Sequence, residues 1–125
     1  MERHILIVDD SPTMRASVSF CLSNAGYAVT EAIHGESGLA KLEQLEAEDR
    51  LPALIISDIN MPEMDGITFI TTVKETRWKF IPVLVLTTES QESQKIRGRS
   101  AGAAGWLLKP FRPEQLLWVV RKFIR

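Results

Sequence analysis

Three aspartates, a threonine and a lysine are the residues of this chain whose types and spacing could do chemistry together. Asp9 and Asp10 follow "ILIV", Asp58 follows "LIIS", Thr87 closes "VLVL" and Lys109 follows "WLL". If those apolar runs are strands of one open parallel sheet, their carboxyl ends converge on a single edge, where such sheets bind ligands. Three carboxylates gathered within about 4 Å repel by roughly 4 kcal/mol per pair at an effective dielectric of roughly 20, so the cluster calls for a cation. An all-oxygen donor set without Cys or His beside it suits Mg²⁺, which takes a few carboxylates and keeps several waters. Singly, each residue has a plainer reading. Asp9 or Asp10 could cap the helix that follows, Thr87 could cap the next one, and Lys109 could be a surface lysine. Capping, however, explains neither the acid closing "LIIS" nor the lysine ending "WLL".

Positioning these groups falls to five apolar or β-branched runs: His4–Val8, Ala28–Ala32, Leu54–Ser57, Val83–Leu86 and Gly105–Leu108. Each precedes a stretch with helical spacing or a helix-start signal, which predicts a (βα)5 fold. "ILIV", "LII" and "VLVL" are apolar on both strand faces, as a parallel sheet covered by helices on each side requires. After the first run Ser11 can cap and Pro12 can take the first helical position. Met14, Val18, Cys21, Leu22 and Ala25 then form one stripe that stops near Gly26. Leu39, Leu42 and Leu45 mark a second helix, and Ile67, Ile70 and Val73 a third that ends before Trp78 and Phe80. The last helix, after Pro113, is predicted to bury Leu116, Leu117, Val120, Phe123 and Ile124 and to run to the final residue. The fourth, "SQESQKIRGRSAG", offers the core only Ile96 and alanines and carries Gly98 in its middle, at about 1 kcal/mol relative to alanine. It reads either as a thinly anchored helix, the element most able to shift, or as a poor edge helix.

At 125 residues, 45% hydrophobic and 25% charged, the chain fits one globular domain, expected to span residues 1–125. Folding at this size hides roughly two-thirds of the chain's surface, enough to dispense with disulfides. The single cysteine, Cys21, cannot form an internal bridge; it reads as a small core residue and points to a reducing compartment. A formal net charge of −1, from 15 basic and 16 acidic residues, gives no reason to expect nucleic acid or a membrane surface as partner. No apolar stretch approaches the ~20 residues that span a bilayer, and the start lacks a signal-peptide core, so a cytoplasmic location is expected.

The chain resembles the receiver domain of two-component response regulators, the family of the chemotaxis protein CheY. "ILIVDDS" with "TMR", "SDINMPEMDG", "VLVLTTE" and "GAAGWLLKPF" carry the likeness, which covers essentially the whole chain. The resemblance implies a flavodoxin-like sheet of strand order 2-1-3-4-5. It implies that Asp58 accepts a phosphoryl group, that Asp9, Asp10, Asp58 and the backbone carbonyl of Asn60 surround Mg²⁺, and that Thr87 and Lys109 bind the phosphoryl oxygens. It also implies a cis peptide between Lys109 and Pro110 and a phosphohistidine on a sensor histidine kinase as donor. Asp58 would be the nucleophile, held on a rigid strand for in-line attack, with Lys109 a fixed charge and Thr87 a hydroxyl that moves towards the new phosphate. Met61, Pro62 and Gly66 would shape the turn, Gly66 by permitting a backbone angle that larger residues resist.

Movement of Thr87 would drag the loop after the fourth strand and free space for the aromatic residue of the fifth, which the family often fills with Tyr or Phe. Here it is Trp106, a switch or else a fixed strand aromatic shielding the fourth helix. Thr88 stands where the family usually has a smaller residue and would restrict access to Asp58. Asn60 and Glu89, two residues beyond the aspartate and the threonine, would tune loss of the phosphate. On the last helix Trp118, Val119, Lys122 and Arg125 make a mixed apolar and basic surface that, with Trp106, could dock a partner, unless Trp118 simply lies flat on its own domain. Trp78 reads as a local packing lid.

The function expected is a stand-alone signalling switch, a monomer or weak dimer, that binds a downstream protein such as a flagellar motor switch or chemotaxis component. A receiver of a larger regulator, or a relay to a histidine phosphotransfer protein, is the alternative. A phosphatase of the haloacid dehalogenase type also pairs an aspartate nucleophile with Mg²⁺. That family, however, places Asp-x-Asp after its first strand, whereas adjacent Asp9 and Asp10 stand there.

Overall fold

A computed structural model describes residues 3–124. Five strands, β1 (His4–Val8), β2 (Ala28–Ala32), β3 (Leu54–Ser57), β4 (Val83–Thr87) and β5 (Gly105–Leu108), alternate with five helices. These are α1 (Pro12–Asn24), α2 (Gly35–Ala47), α3 (Gly66–Lys74), α4 (Glu92–Ala101) and α5 (Pro113–Phe123). All strand pairings are parallel and the order is β2-β1-β3-β4-β5. The expected fold class holds: a doubly wound α/β sheet of CheY-like topology.

β1, β3 and β4 are buried along their whole length, which is why their sequences are apolar without alternation. Their side chains still alternate between two cores. Leu6, Val8, Ile55, Val83 and Val85 face Leu42 of α2 and Phe69, Ile70 and Val73 of α3. Ile5, Ile7, Leu54, Ile56, Leu84 and Leu86 face Val18 and Leu22 of α1 and Leu116 and Val120 of α5. The register aligns the strand ends, pairing Val8 with Ala32 and Ser57, and Thr87 with Leu108. The next residue of each strand therefore emerges at the same edge.

α1 starts as expected, whereas the cap of α3 is a residue that the sequence pattern did not point to. Ser11 caps α1, accepting from the Met14 N–H at 3.2 Å, and Pro12 opens it. Asp65 caps α3 through the Thr68 N–H at 2.8 Å. Four expectations need correction. β4 extends one residue further, so that Thr87 is its last member. α5 stops at Phe123 because Ile124 is extended, at φ −125° and ψ 108°, and the final residue lies outside the described ones. Ile96 is 52% exposed rather than a core anchor, so α4 buries only Gly98. Gly98 itself is there for space: a Cβ would stand 2.6 Å from Cζ3 of Trp106. Phe69, absent from the expected α3 stripe, is fully buried beside it. Trp78 is a packing lid, 3% exposed, with its indole N–H donated to Glu46 at 3.2 Å and Arg77 stacked on its ring.

Candidate functional site

Three backbone bonds extend the sheet by one residue and aim the side chains that matter. The Asp9 N–H donates to Ala32 of β2 at 3.1 Å, the Asp58 N–H to Val8 of β1 at 3.0 Å, and the Lys109 N–H to Thr87 of β4 at 2.8 Å. Each residue is thus held by the neighbouring strand as it leaves its own. Their functional groups meet as a consequence. One carboxylate oxygen from each of Asp9, Asp10 and Asp58 lies within 4.8 Å of the others. Asp9 and Asp58 are buried, whereas Asp10 is exposed.

A protein cation already stands among the acids. Lys109 Nζ lies 2.8 Å from Asp9 Oδ2 and 3.2 Å from Asp58 Oδ2, with its side chain 8% exposed. Burial alone pulls its pKa down, but the hydrogen bond it donates to Asp9 and the charges of Asp58 and Asp9 outweigh that, holding its pKa above that of an ordinary lysine. The remaining oxygens are tied to backbone. Asp9 Oδ1 accepts the Ser11 N–H at 2.9 Å, and Asp58 Oδ1 accepts those of Ile59 at 2.6 Å and, weakly, Asn60 at 3.4 Å. One ammonium against three carboxylates leaves two formal charges unbalanced, so an open, all-oxygen edge with excess negative charge fits a hard divalent cation. Of the groups expected to hold it, Asn60 is exposed and adjoins Asp58 in the β3–α3 turn.

That turn works by close approach rather than by an unusual glycine angle. A Cβ on Gly66 would fall onto the Asp58 carbonyl oxygen and the Ile59 Cα, so the helix start sits directly on the acid's own backbone. The left-handed residue of the turn is Glu63, at φ 65°. Its carboxylate lies 3.7 Å from His34, the cap of α2, and Met64 packs against Gly35.

On the β4 side, Thr87 is fully buried and its hydroxyl accepts the Glu89 N–H at 3.2 Å, a bond inside the loop rather than a cap on α4. Glu89 turns its carboxylate to the Gln91 N–H at 3.0 Å and its carbonyl to the indole N–H of Trp106 at 3.1 Å. Trp106 is half-buried against the α2–α3 core, its ring over Gly98. Thr88 is exposed in the same loop. On α5, Trp118 is 62% exposed and Lys122 Nζ sits 3.6 Å from its ring centroid, while Val119 is half-buried. Trp118 therefore does not lie flat on its own domain. The Lys109–Pro110 peptide is cis.

Arg15 is a contact that residue-type reasoning missed. Its guanidinium donates to the Asp9 carbonyl at 2.8 Å and lies 3.3 Å from Glu31 of β2. The arginine of "TMR" was visible in the chain, but its partners, six and sixteen positions away on different elements, were not.

The sequence pattern of the response regulator receiver domain matches residues 5–121. A solved structure of chemotaxis protein CheY4 from Vibrio cholerae is similar at 42% identity and a TM-score of 0.88, covering 99% of this chain and 100% of that one. Chemotaxis protein CheY1 of Helicobacter pylori is 37% identical over 113 residues, 90% of this chain and 89% of that protein. Sensor histidine kinase CheAY of Helicobacter pylori is 35% identical over 122 residues, but the chain spans only 15% of that protein's length.

Proposed function

The chain belongs to the response regulator receiver domain family, and from that premise we propose that it is a signalling switch operated by phosphorylation of Asp58. A receiver is a phosphoacceptor domain, not a conventional enzyme, and it receives phosphate from a histidine kinase. The family membership also disposes of the haloacid-dehalogenase phosphatase reading. The observation that carries the proposal is the meeting of Asp9, Asp10 and Asp58 within 4.8 Å of one another, with the Lys109 ammonium bridging Asp9 and Asp58.

In this reading an oxygen of Asp58 bonds to phosphorus as the phosphorus–nitrogen bond of the donor phosphohistidine breaks, the imidazole keeping the electron pair. Asp58 Oδ1 is held by two backbone N–H groups, so the more loosely paired Oδ2, 3.2 Å from Lys109, is the oxygen suited to attack. Lys109 then follows the charge, exchanging its contact with Asp58 for the phosphoryl oxygens. Asp9, Asp10, Asp58 and the Asn60 carbonyl would hold Mg²⁺, which when bound offsets the repulsion between the carboxylate and the incoming phosphoryl oxygens. Thr87 accepts from Glu89 and keeps its own hydroxyl hydrogen to donate to the phosphate. Asn60, Thr88 and Glu89 border the acceptor and tune access and hydrolysis.

The downstream reading is a flagellar-motor or chemotaxis-kinase partner bound through Trp106, Trp118, Val119 and Lys122. Likeness to CheY4 and CheY1 over nearly the whole of both proteins supports it. No helix of the described residues is long and apolar enough to cross a membrane; the switch is proposed to act in the cytoplasm as a monomer or weak dimer. The match to a segment of CheAY supports the second reading, a receiver unit inside a longer protein or relay.

Incubation with acetyl phosphate and Mg²⁺, followed by intact-mass measurement, is expected to add one phosphoryl group that Asp58→Asn cannot take up. A label of the same stoichiometry in the Asn variant would overturn the assignment.

A further inference from the structure

Each of the three acids is oriented differently. Asp9 and Asp58 are fixed through their own carboxylates, which take hydrogen bonds from Ser11, Ile59 and Lys109. The exposed carboxylate of Asp10 takes none from another described residue. Its direction therefore depends on the backbone that carries it, and the peptide joining Asp9 to Asp10 has an external anchor. Arg15 Nη1 donates to the carbonyl of that peptide at 2.8 Å. A peptide is planar, so holding its carbonyl also holds the Asp10 nitrogen and Cα.

The anchor is itself braced. Arg15 Nε lies 3.3 Å from Glu31 Oε1, and the Arg15 side chain is only 16% exposed. Glu31 belongs to β2, where it stands in register with Ile7 of β1. A planar guanidinium can engage a carbonyl with one nitrogen and a carboxylate with another; a lysine ammonium is a point donor on a flexible stem and does this less well.

We propose that Arg15 is the positioning residue for the Mg²⁺ site, holding the Asp9–Asp10 peptide so that the Asp10 carboxylate points at the metal. The inference rests on the magnesium reading given above. Outer groups that orient metal ligands typically change affinity by about 10–100-fold when lost, and one that acts on a single ligand of an open site belongs near the lower figure, about tenfold. The sign separates this role from simple electrostatics. Arg15 is a positive charge close to the cation, so removing it without any positioning role would tighten Mg²⁺ binding.

The test is titration with MgCl₂ at constant ionic strength, followed by backbone amide NMR, on the wild type and on Arg15→Ala, Arg15→Lys, Asp10→Asn and the Asp10→Asn/Arg15→Lys double variant. Arg15→Ala is expected to raise the Kd about tenfold with a native spectrum in the absence of metal, and Arg15→Lys to raise it by less. In the Asp10→Asn background the lysine substitution is expected to add almost nothing, because the ligand that Arg15 orients is gone. Unchanged or tighter binding in Arg15→Ala would overturn the proposal, as would an undiminished Arg15→Lys effect in the double variant. Should Arg15→Ala fail to fold, the lysine pair of variants decides. A wild type that does not bind MgCl₂ would instead defeat the magnesium reading itself.

Discussion

Lys109 is the residue on which the charge balance of the cluster turns. Asp9 and Asp58 are buried beside it, and each gives it one oxygen, so the ammonium holds together two acids that would otherwise repel. Replacing it by Met leaves both without a cationic partner. Urea unfolding in EDTA is expected to show a loss of about 2 kcal/mol, and MgCl₂ is expected to restore most of it by binding the folded state. The pH dependence has a definite sign. The pKa of Lys109 is raised on folding, so its contribution is complete below the ordinary lysine value, about 10.4, and disappears as pH climbs through the folded value. The difference between wild type and Lys109→Met is therefore expected to stay constant from neutral pH to about pH 10 and to shrink above it. A difference that shrank between pH 5 and 8 would point to another group.

Among the elements, α4 has the weakest hold on the sheet. Its apolar residue Ile96 faces solvent, its start lacks a side-chain cap, and beyond a half-buried Ala101 its one buried residue is Gly98, under Trp106. The ring and the glycine fit as a pair: Trp106 fills the volume where a Cβ would stand, and its N–H is tied to Glu89 in the loop before the helix. That loop also answers to Thr87 through the Glu89 N–H, so threonine, loop, ring and helix are joined by consecutive contacts. Gly98→Ala is expected to expel the ring, costing about 1–3 kcal/mol of stability as overpacking does, and the Trp106 indole N–H resonance should move to the position of a water-exposed indole. An unmoved resonance would show that the helix, not the ring, yields.

For the whole molecule, the sheet serves as a rigid holder for one edge and as a partition between two cores. The proposed acceptor, Asp58, lies on the central part of that edge, whereas Trp118 and Lys122 stand well along α5, where aromatic and cationic groups are exposed together. Communication between them requires an element that moves, and α4 with its loop is the one with least to lose. Capture experiments with the beryllofluoride form and the unmodified form are expected to retain a protein on the former alone, with retention lost in Trp118→Ala. Equal retention on both forms would argue against an output controlled by phosphorylation.

Much of this could be read in the chain before any coordinates. Apolar runs without alternation announced strands buried on both faces, Ser11 and Pro12 announced a helix start, and the residues closing four of the runs announced the acidic edge. These are local matters, set by side-chain type and backbone preference within a few residues, and strand ends in a parallel sheet align whatever the loops do. The identity of the contacts at that edge was another matter. That Lys109 inserts between Asp9 and Asp58, that Arg15 holds the Asp9 carbonyl, that Gly66 is needed for closeness and Gly98 for the Trp106 ring depend on the packing of distant segments. Such distances follow from sheet register and helix docking, which sum forces over the whole core, and no stretch of sequence carries them by itself.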